Sequence, residues 1–338
     1  MDVLGRDGAS MMVLWGGFIL LVLLVLAIDL GVFNRRPHAP TVPQALSFAA
    51  ASVVLALLFV GFVYQAYTNH WGGLGLSVDA VDHHLNDGRL ASVKFLTGYV
   101  VELSLSIDNV FVIAMIFEHL RVPLEQQHRV LFWGVLGALV LRGAMIAGGT
   151  ALVARYNWVL YAMGAFLLFT AVRMLLEKAE PEGAKESWLV RFLNRNTRVT
   201  NEYHGGRFRI TRDGKHWITP LLVALLLVES TDLIFAVDSI PAIFAVTTDA
   251  FLVFTSNVFA ILCLRSLYFG LAHLLVKFRY LKTSLALILG LVGVKMLAGE
   301  WSNALLGDAV NFWLLGSVAV VLGVGAGASV WADRRAQH

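Results

Sequence analysis

Ionisable side chains lie inside long apolar stretches of this sequence, where a charge is costly and is expected to serve a function. The acidic ones are Asp29, Glu102, Asp108, Glu229, Asp232 and Asp238. The basic ones are Arg142, Arg265 and Lys295. An excess of carboxylates over basic groups favours a pathway for a cation or a proton over a binding site for an anion.

The residues around these acids provide oxygen ligands. The candidate metal ligands are Glu102, Asp108, Asn109, Glu229, Asp232 and Asp238, and the secondary candidates are Ser106, Thr231, Ser239, Arg142 and Arg265. Carboxylate, amide and hydroxyl oxygens suit Mg²⁺, Ca²⁺ or Mn²⁺, whereas the single cysteine cannot form a thiolate cluster. For the two arginines, burial as ion-pair partners of the acids is the alternative to a role in transport.

Helical geometry restricts how these acids can converge. Asp232 and Asp238 are six residues apart, so on a straight helix they point about 240° away from each other. Either the helix is broken near Pro241, which would free carbonyl oxygens to coordinate an ion, or some of the acids face other partners. The sequence leaves both alternatives open.

The elements that must position these residues are membrane-spanning helices. Hydrophobic residues make up 58% of the 338 positions and charged residues 14%, which excludes an ordinary cytosolic enzyme, a disordered chain and a secreted disulfide scaffold. About 20 apolar residues cross a bilayer as a helix. Nine stretches qualify, at 11–33, 45–66, 92–118, 127–153, 156–177, 217–245, 249–276, 281–298 and 308–331. The predicted fold is all-α.

Loop charges predict the orientation. Of the 26 Lys and Arg residues, only Arg6, Arg89, Lys94 and Arg155 fall in the loops and tail on the side of the N-terminus. The positive-inside rule therefore places the N-terminus outside and the C-terminus in the cytoplasm. The net charge of +3 is then a signal of topology, and it gives no reason to expect a nucleic-acid partner.

An internal repeat organises the chain. Asp108 and Asp232 occur in similar segments, and Arg142 and Arg265 follow them at nearly equal intervals. Three spans per copy imply an inverted repeat, which is typical of secondary transporters with a site at the midplane. The predicted organisation is 1–91, two peripheral helices and an outside loop; 92–177, the first repeat; 178–216, a basic, solvated cytoplasmic loop that could contact anionic lipid; 217–298, the second repeat; and 299–338, a C-terminal helix and tail.

Two further features have simpler interpretations. The outside loop carries Asp79, Asp82, His83 and His84, which could capture a metal, although such residues in a polar loop are more often solvated. Lys295 lies near the end of its span and is interpreted as an anchor at the membrane face.

Two motifs resemble those of the TerC/Alx family of bacterial integral membrane proteins, which is similar to the wider LysE transporter superfamily. They are residues 101–109, VELSLSIDN, and residues 229–242, ESTDLIFAVDSIPA. The resemblance implies a bacterial inner-membrane protein and manganese efflux from the cytoplasm, with links to tellurite resistance and, in some members, to alkaline response. It also implies that the acidic positions of the family fall on Glu102, Asp108, Asn109, Glu229, Asp232 and Asp238.

The sequence thus predicts a secondary transporter, and not an enzyme, that exports a divalent metal cation, which the resemblance identifies as Mn²⁺. Coupling to protons or to the membrane potential is expected, with Mn²⁺ as substrate and no cofactor. The partners are the metal ion and the lipid bilayer, and the oligomeric state is left open. Two alternatives are a factor for membrane-protein assembly or insertion and an exporter of an organic cation or amino acid.

Overall fold

The computed structural model describes residues 2–33, 42–176, 199–200, 202–212, 214–271, 280–299, 301, 307 and 309–336. Within them, nine long helices follow one another along the chain, with a short hairpin between the fifth and the sixth. They are α1 (Asp2–Phe33), α2 (Val42–Thr68), α3 (Gly88–His119), α4 (Leu124–Arg155), α5 (Trp158–Leu176), β1 (Arg209–Arg212), β2 (Lys215–Ile218), α6 (Pro220–Phe244), α7 (Ala250–Leu271), α8 (Leu281–Leu297) and α9 (Ala309–Ala336).

These helices confirm a polytopic membrane protein. Among the described residues, eight helices are long and apolar enough to cross a membrane. The remaining one, α8, has 17 residues, which is somewhat short of the about 20 that a full crossing needs. Each helix covers a predicted span, and most boundaries agree within a few residues because the length of an apolar run in a membrane determines where its helix can end.

Helix packing brings together the two predicted repeats, α3–α5 and α6–α8, which are called the two halves of the chain below. Helix α3 packs against α7, α4 packs against α6, and α5 packs against α8. Helix α2 lies against α3 and α7, while α9 lies against α3 and α8. The helices that carry the predicted site residues are therefore each in contact with a helix of the other half.

Helix α6 is continuous at the site. It begins at Pro220, where a missing N–H costs nothing, and it runs through Pro241 before it ends at Phe244. Because Pro241 lies in the last turn, its missing N–H removes a hydrogen bond without breaking the helix between Asp232 and Asp238. The sequence left open a break or different partners, and the structure has the acids on different faces of an unbroken helix.

The described part of the 178–216 loop differs from the predicted solvated linker. Strands β1 and β2 form an antiparallel hairpin with Arg209 opposite Ile218, and Gly214 supplies the positive φ of 70° that the turn needs. Tyr203 Oη donates a hydrogen bond to the carbonyl of Leu120, 2.8 Å away. The chain is mostly helical, as predicted, and this hairpin is an exception to the all-α prediction, for which the Asp-Gly pair before β2 was the signal. Residues 177–198 lie outside the described residues.

Candidate functional site

A buried arginine joins the two halves of the chain. Arg142 of α4 is 2% exposed and ion-pairs with Glu102 of α3. It also holds Asp232 of α6 with two donors, since Nη2 lies 2.9 Å from Oδ1 and Nε lies 3.2 Å from Oδ2. Such paired, charge-assisted hydrogen bonds fix the carboxylate in both position and orientation. Arg142 is thus an ion-pair partner of two acids, which is the alternative that the sequence set beside a role in transport.

Two further polar groups complete what we call the Arg142 cluster, namely Arg142, Glu102, Asp232, Ser239 and Asn257. Arg142 Nη1 lies 3.3 Å from the hydroxyl of Ser239 and 3.5 Å from the amide oxygen of Asn257. The sequence predicted the serine and missed the asparagine. Three polar residues in a row, at 255–257 in an otherwise apolar span, were a signal that could have identified it.

Several buried polar atoms around this cluster have no hydrogen-bond partner among the described residues. They are Glu102 Oε2, Ser106 Oγ, Glu229 Oε2 and Asn257 Nδ2. A cavity of about 20 Å³ is lined in part by Ser106, Asn109, Arg142 and Asp232, and this volume suffices for one water molecule or ion. Three of these four atoms are oxygens, which are potential ligands of a hard cation.

Glu229 extends this region along α6. It lies one helical turn from Asp232 and packs its carboxylate against Gly137 of α4, where a Cβ atom would collide with both carboxylate oxygens. A glycine at this position leaves the space that the carboxylate occupies. Glu229 therefore stands beside the Arg142 cluster without pairing with Arg142.

The other predicted ligands lie elsewhere. Asp238 accepts a hydrogen bond from Thr170 of α5 at 3.3 Å, and Thr231 donates to Leu227 and Val228 of its own helix. Asp108 is half-buried on α3 and belongs to none of the ion pairs found among the described residues.

The structure does not assemble all the predicted ligands in one place. In the part of the chain that it describes, no three His, Cys, Asp or Glu side chains converge as a ready metal site. Glu102, Asp232 and Ser239 are brought together, with Ser106, Asn109 and Glu229 beside them. Asp108 and Asp238 stand apart, and the side chains of Arg265 and Asp29 lie outside the described residues.

A second buried ionic cluster occupies the N-terminal end of α3. Lys94, fully buried, contacts Asp79 at 2.8 Å, Asp82 at 2.7 Å and the amide oxygen of Asn86 at 2.6 Å. The interpretation of Asp79 and Asp82 as solvated or metal-capturing loop residues is wrong, because both are buried as partners of a lysine. Helix α3 begins at Gly88, four residues before its predicted start, and it contains Lys94, which the loop-charge count had assigned to the outside loop.

Asp79 also receives hydrogen bonds from the connection between α6 and α7. Thr247 donates to Oδ2, and the backbone N–H and the hydroxyl of Thr248 donate to Oδ1 at 3.1 and 2.9 Å. Burial opposes its ionisation, but Lys94 and these hydrogen bonds hold the pKa of Asp79 well below its usual range. Asp249, close by, has a raised pKa because of its burial. Asp79 is thus a carboxylate held in its charged form.

Lys295 of α8 contacts the same region. It donates to the carbonyl of Ala245 at 2.8 Å and to the amide of Asn311 at 3.4 Å, and Asn311 in turn donates to Asp82 at 3.0 Å. The interpretation of Lys295 as an anchor at the membrane face is wrong. This lysine is buried within the protein and links α8 to α9.

Comparison with known proteins matches the chain to other membrane proteins. The profile of the family described as "Integral membrane protein TerC family" matches residues 88–337. An uncharacterized membrane protein of Myxococcus xanthus is 46% identical over 283 residues, which cover 84% of this chain and 82% of that one. No solved structure matches the chain.

Other relatives carry the name "Putative membrane-bound redox modulator Alx". The protein from Escherichia coli K12 is 46% identical over 84% of this chain and 85% of its own length. The protein from Photorhabdus laumondii is 41% identical over 95% of each chain. The similarity to the Photorhabdus protein therefore spans nearly the whole sequence, including the N-terminal helices outside the family profile.

Proposed function

Because the chain belongs to the TerC family of integral membrane proteins, we propose that it is a secondary transporter that exports a divalent metal cation through the Arg142 cluster. Mn²⁺ is the proposed substrate, and protons or the membrane potential are the proposed driving force. The observation that carries this proposal is that Glu102 and Asp232, from the two halves of the chain, share one buried guanidinium.

The balance of charge and of acceptors supports a cation as the substrate. Two carboxylates against one guanidinium leave a net charge of −1 in the cluster, and Glu229 lies beside it. The unpaired oxygens of Glu102, Ser106 and Glu229 are all potential cation ligands. Unpaired buried polar atoms usually have a water, ion or functional role, because each one costs about 1–3 kcal/mol.

Arg142 has a specific role in this proposal. Its guanidinium pairs with Glu102 and Asp232 when no metal is bound. The empty site can then reorient without leaving two buried carboxylates unpaired. An entering dication would compete for the same two carboxylates, and Arg142 would then retain Ser239 and Asn257 as acceptors. Arg142 thus acts as a resident counter-ion that the substrate displaces from the acids.

The helix packing is consistent with an inverted repeat. If α3, α4 and α5 correspond to α6, α7 and α8, the α3–α7 contact exchanges with the α4–α6 contact, and the α5–α8 contact exchanges with itself. Movement of one half against the other would then alternate access to a central site. This correspondence supports the proposal that transport occurs by relative movement of the two halves.

The choice of metal rests on ligand chemistry and on the family resemblance. The available ligands are oxygens, which suit Mn²⁺, Mg²⁺ and Ca²⁺ alike. The name of the Alx relatives refers to redox modulation, but this sequence holds one cysteine, so it offers no cysteine pair that could cycle through an intrachain disulfide. We therefore propose metal transport as the activity.

The test is a flux assay in proteoliposomes that contain the purified protein and a metal-sensitive dye. We expect uptake of Mn²⁺, and we expect excess Mg²⁺, Ca²⁺ or lysine to inhibit this uptake only weakly. Asp232→Asn and Glu102→Gln should lose this flux while inserting in the membrane as the wild type does. Competition by lysine would favour the exporter of an amino acid or organic cation. Two results together would overturn transport and favour an assembly factor. The purified wild-type protein would show no metal flux, and both variants would replace the wild-type protein in cells without loss.

A further inference from the structure

The buried cluster around Lys94 connects five parts of the molecule. We define the Lys94 cluster as Lys94 of α3; Asp79, Asp82 and Asn86 of the loop 69–87; Thr247 and Thr248 between α6 and α7; Lys295 of α8; and Asn311 of α9. Except for Thr248, these side chains are buried. The cluster ties the loop and α9 to both halves of the chain.

Asp79 is the central link. One of its oxygens accepts from Lys94 and Thr247, and the other accepts from Thr248. The lysine belongs to the first half of the chain and the threonines belong to the second. A movement that separates the start of α3 from the α6–α7 connection must therefore break hydrogen bonds to Asp79.

The Lys94 cluster lies on the path from the Arg142 cluster toward the N-terminal end of α3. Lys94 precedes Glu102 by eight residues on a continuous helix, which is a distance of about 12 Å along its axis. On α6, Ser239 of the Arg142 cluster is likewise eight residues before Thr247. Both helices that supply acids to the Arg142 cluster lead to the Lys94 cluster.

We propose that the Lys94 cluster is a latch that closes the outer end of the transport route and must open to release the metal. This inference rests on the proposed transport function and on the predicted orientation, in which this end faces outside. Lys94 and Asp79 hold the closed state by joining the two halves. Opening separates the loop 69–87 from the α6–α7 connection, and the backbone N–H of Ala80 then loses its hydrogen bond to Thr248.

A reversible cross-link tests the latch. In a Cys263→Ala background, Ala80→Cys and Thr248→Cys place thiols on the two sides, where Ala80 N now lies 3.0 Å from Thr248 Oγ1. Oxidation by diamide should stop Mn²⁺ flux in proteoliposomes, and dithiothreitol should restore it. The matched control is Val78→Cys with Leu85→Cys. These two exposed residues form an antiparallel β-bridge within the loop, so oxidation of this pair should leave the flux unchanged. Equal flux with the first cross-link verified by mass spectrometry would overturn the latch.

A second readout does not depend on transport and separates the two proposals. Thr97 is buried one turn deeper than Lys94 on α3, so Thr97→Cys reports access from outside to a membrane-impermeant thiol reagent. We expect labelling to be at least about tenfold faster when Asp79→Ala is added in monodisperse protein and to return to the slow rate when the 80–248 cross-link is formed. Equal labelling rates would overturn the latch. The protein without the cross-link could also move no metal while Asp79→Ala speeds labelling and the cross-link slows it. In that case the proposed function fails and the latch stands.

Discussion

The two buried ionic clusters of this protein differ in how completely their charges are paired. In the Lys94 cluster, one ammonium has three oxygen partners within 2.8 Å, and Asp79 uses both of its oxygens. In the Arg142 cluster, one oxygen of Glu102 has no hydrogen-bond partner among the described residues, and the same holds for one oxygen each of Ser106 and Glu229 nearby. A small cavity lies beside the Arg142 cluster. The first arrangement suits a structural connection, and the second suits a site that accepts a further cation.

The difference separates stability from transport as measurable properties. Removing a fully paired buried charge should mainly destabilise the closed fold, because its partners are left without compensation. Removing a carboxylate from an incompletely paired site should mainly reduce binding. The predictions below test this separation, beginning with the largest expected effect.

Lys94→Met should have the largest effect on stability. It leaves Asp79 and Asp82 buried without their cation, and breaking such a pair typically costs about 3–5 kcal/mol. Thermal unfolding in detergent measures the change. Lys295→Met is the matched control, since the hydrogen bonds it removes go to the neutral oxygens of Ala245 and Asn311, at a cost of about 1–3 kcal/mol. Wild-type thermal stability in Lys94→Met would contradict the assignment of a structural role to this lysine.

Asp232→Asn should mainly affect transport. It removes one charged ligand and one charge-assisted pair with Arg142, worth about 1.5–3 kcal/mol, so the metal affinity should fall about 10- to 150-fold. Initial Mn²⁺ flux at subsaturating metal measures this loss. Asp108→Asn should reduce flux less, because Asp108 lies outside the Arg142 cluster. An equal or greater loss of flux in Asp108→Asn would show that the repeat in the sequence identifies the metal ligands better than the contacts of Asp232 do.

Gly137→Ala should disturb the Arg142 cluster from its edge. The new Cβ displaces the carboxylate of Glu229, and overpacking of about 1 kcal/mol corresponds to a decrease in flux of about fivefold. Gly148→Ala on the same helix is the control, because a Cβ there meets no atom of the described part of the chain within 4 Å. Identical flux in both variants would remove Glu229 from the proposed site.

Asp238→Asn should have the smallest effect of the four. Asp238 lies outside the Arg142 cluster, and its carboxylate accepts a hydrogen bond from Thr170 at 3.3 Å, a contact worth about 0.5–1.5 kcal/mol. Because the amide oxygen of asparagine can still accept this bond, we expect a loss at the lower end of that range, which is less than about a threefold change in flux. A loss as large as that of Asp232→Asn would restore Asp238 to the metal ligands that the sequence predicted.

The sequence was informative where the membrane imposes simple rules. Apolar length predicted the helices, and the cost of a buried charge singled out Glu102, Asp232 and Arg142 before their contacts were known. It did not show which polar residues of a loop are buried in the folded protein. Asp79 and Asp82 have the composition of a solvated loop, and only the folded chain shows that Lys94 lies beneath them.

Side-chain direction was the other limit. Six residues separate Asp232 from Asp238, and the sequence could not decide between a broken helix and two different partners. The late position of Pro241 in α6 settles this, because the helix continues past both acids. Asn257 was missed because an amide in a transmembrane helix carries no charge, and so it gave a weaker signal than the acids.

The most direct test of the central claim is Mn²⁺ binding measured by electron paramagnetic resonance, in which bound metal loses the six-line signal of the free ion. Purified wild-type protein and the Asp79→Asn variant should each bind Mn²⁺ saturably, since the Lys94 cluster is not the proposed site. Asp232→Asn and Glu102→Gln should show at least tenfold weaker binding. Unchanged binding in the latter two variants, in folded protein, would contradict the assignment of the Arg142 cluster as the cation site.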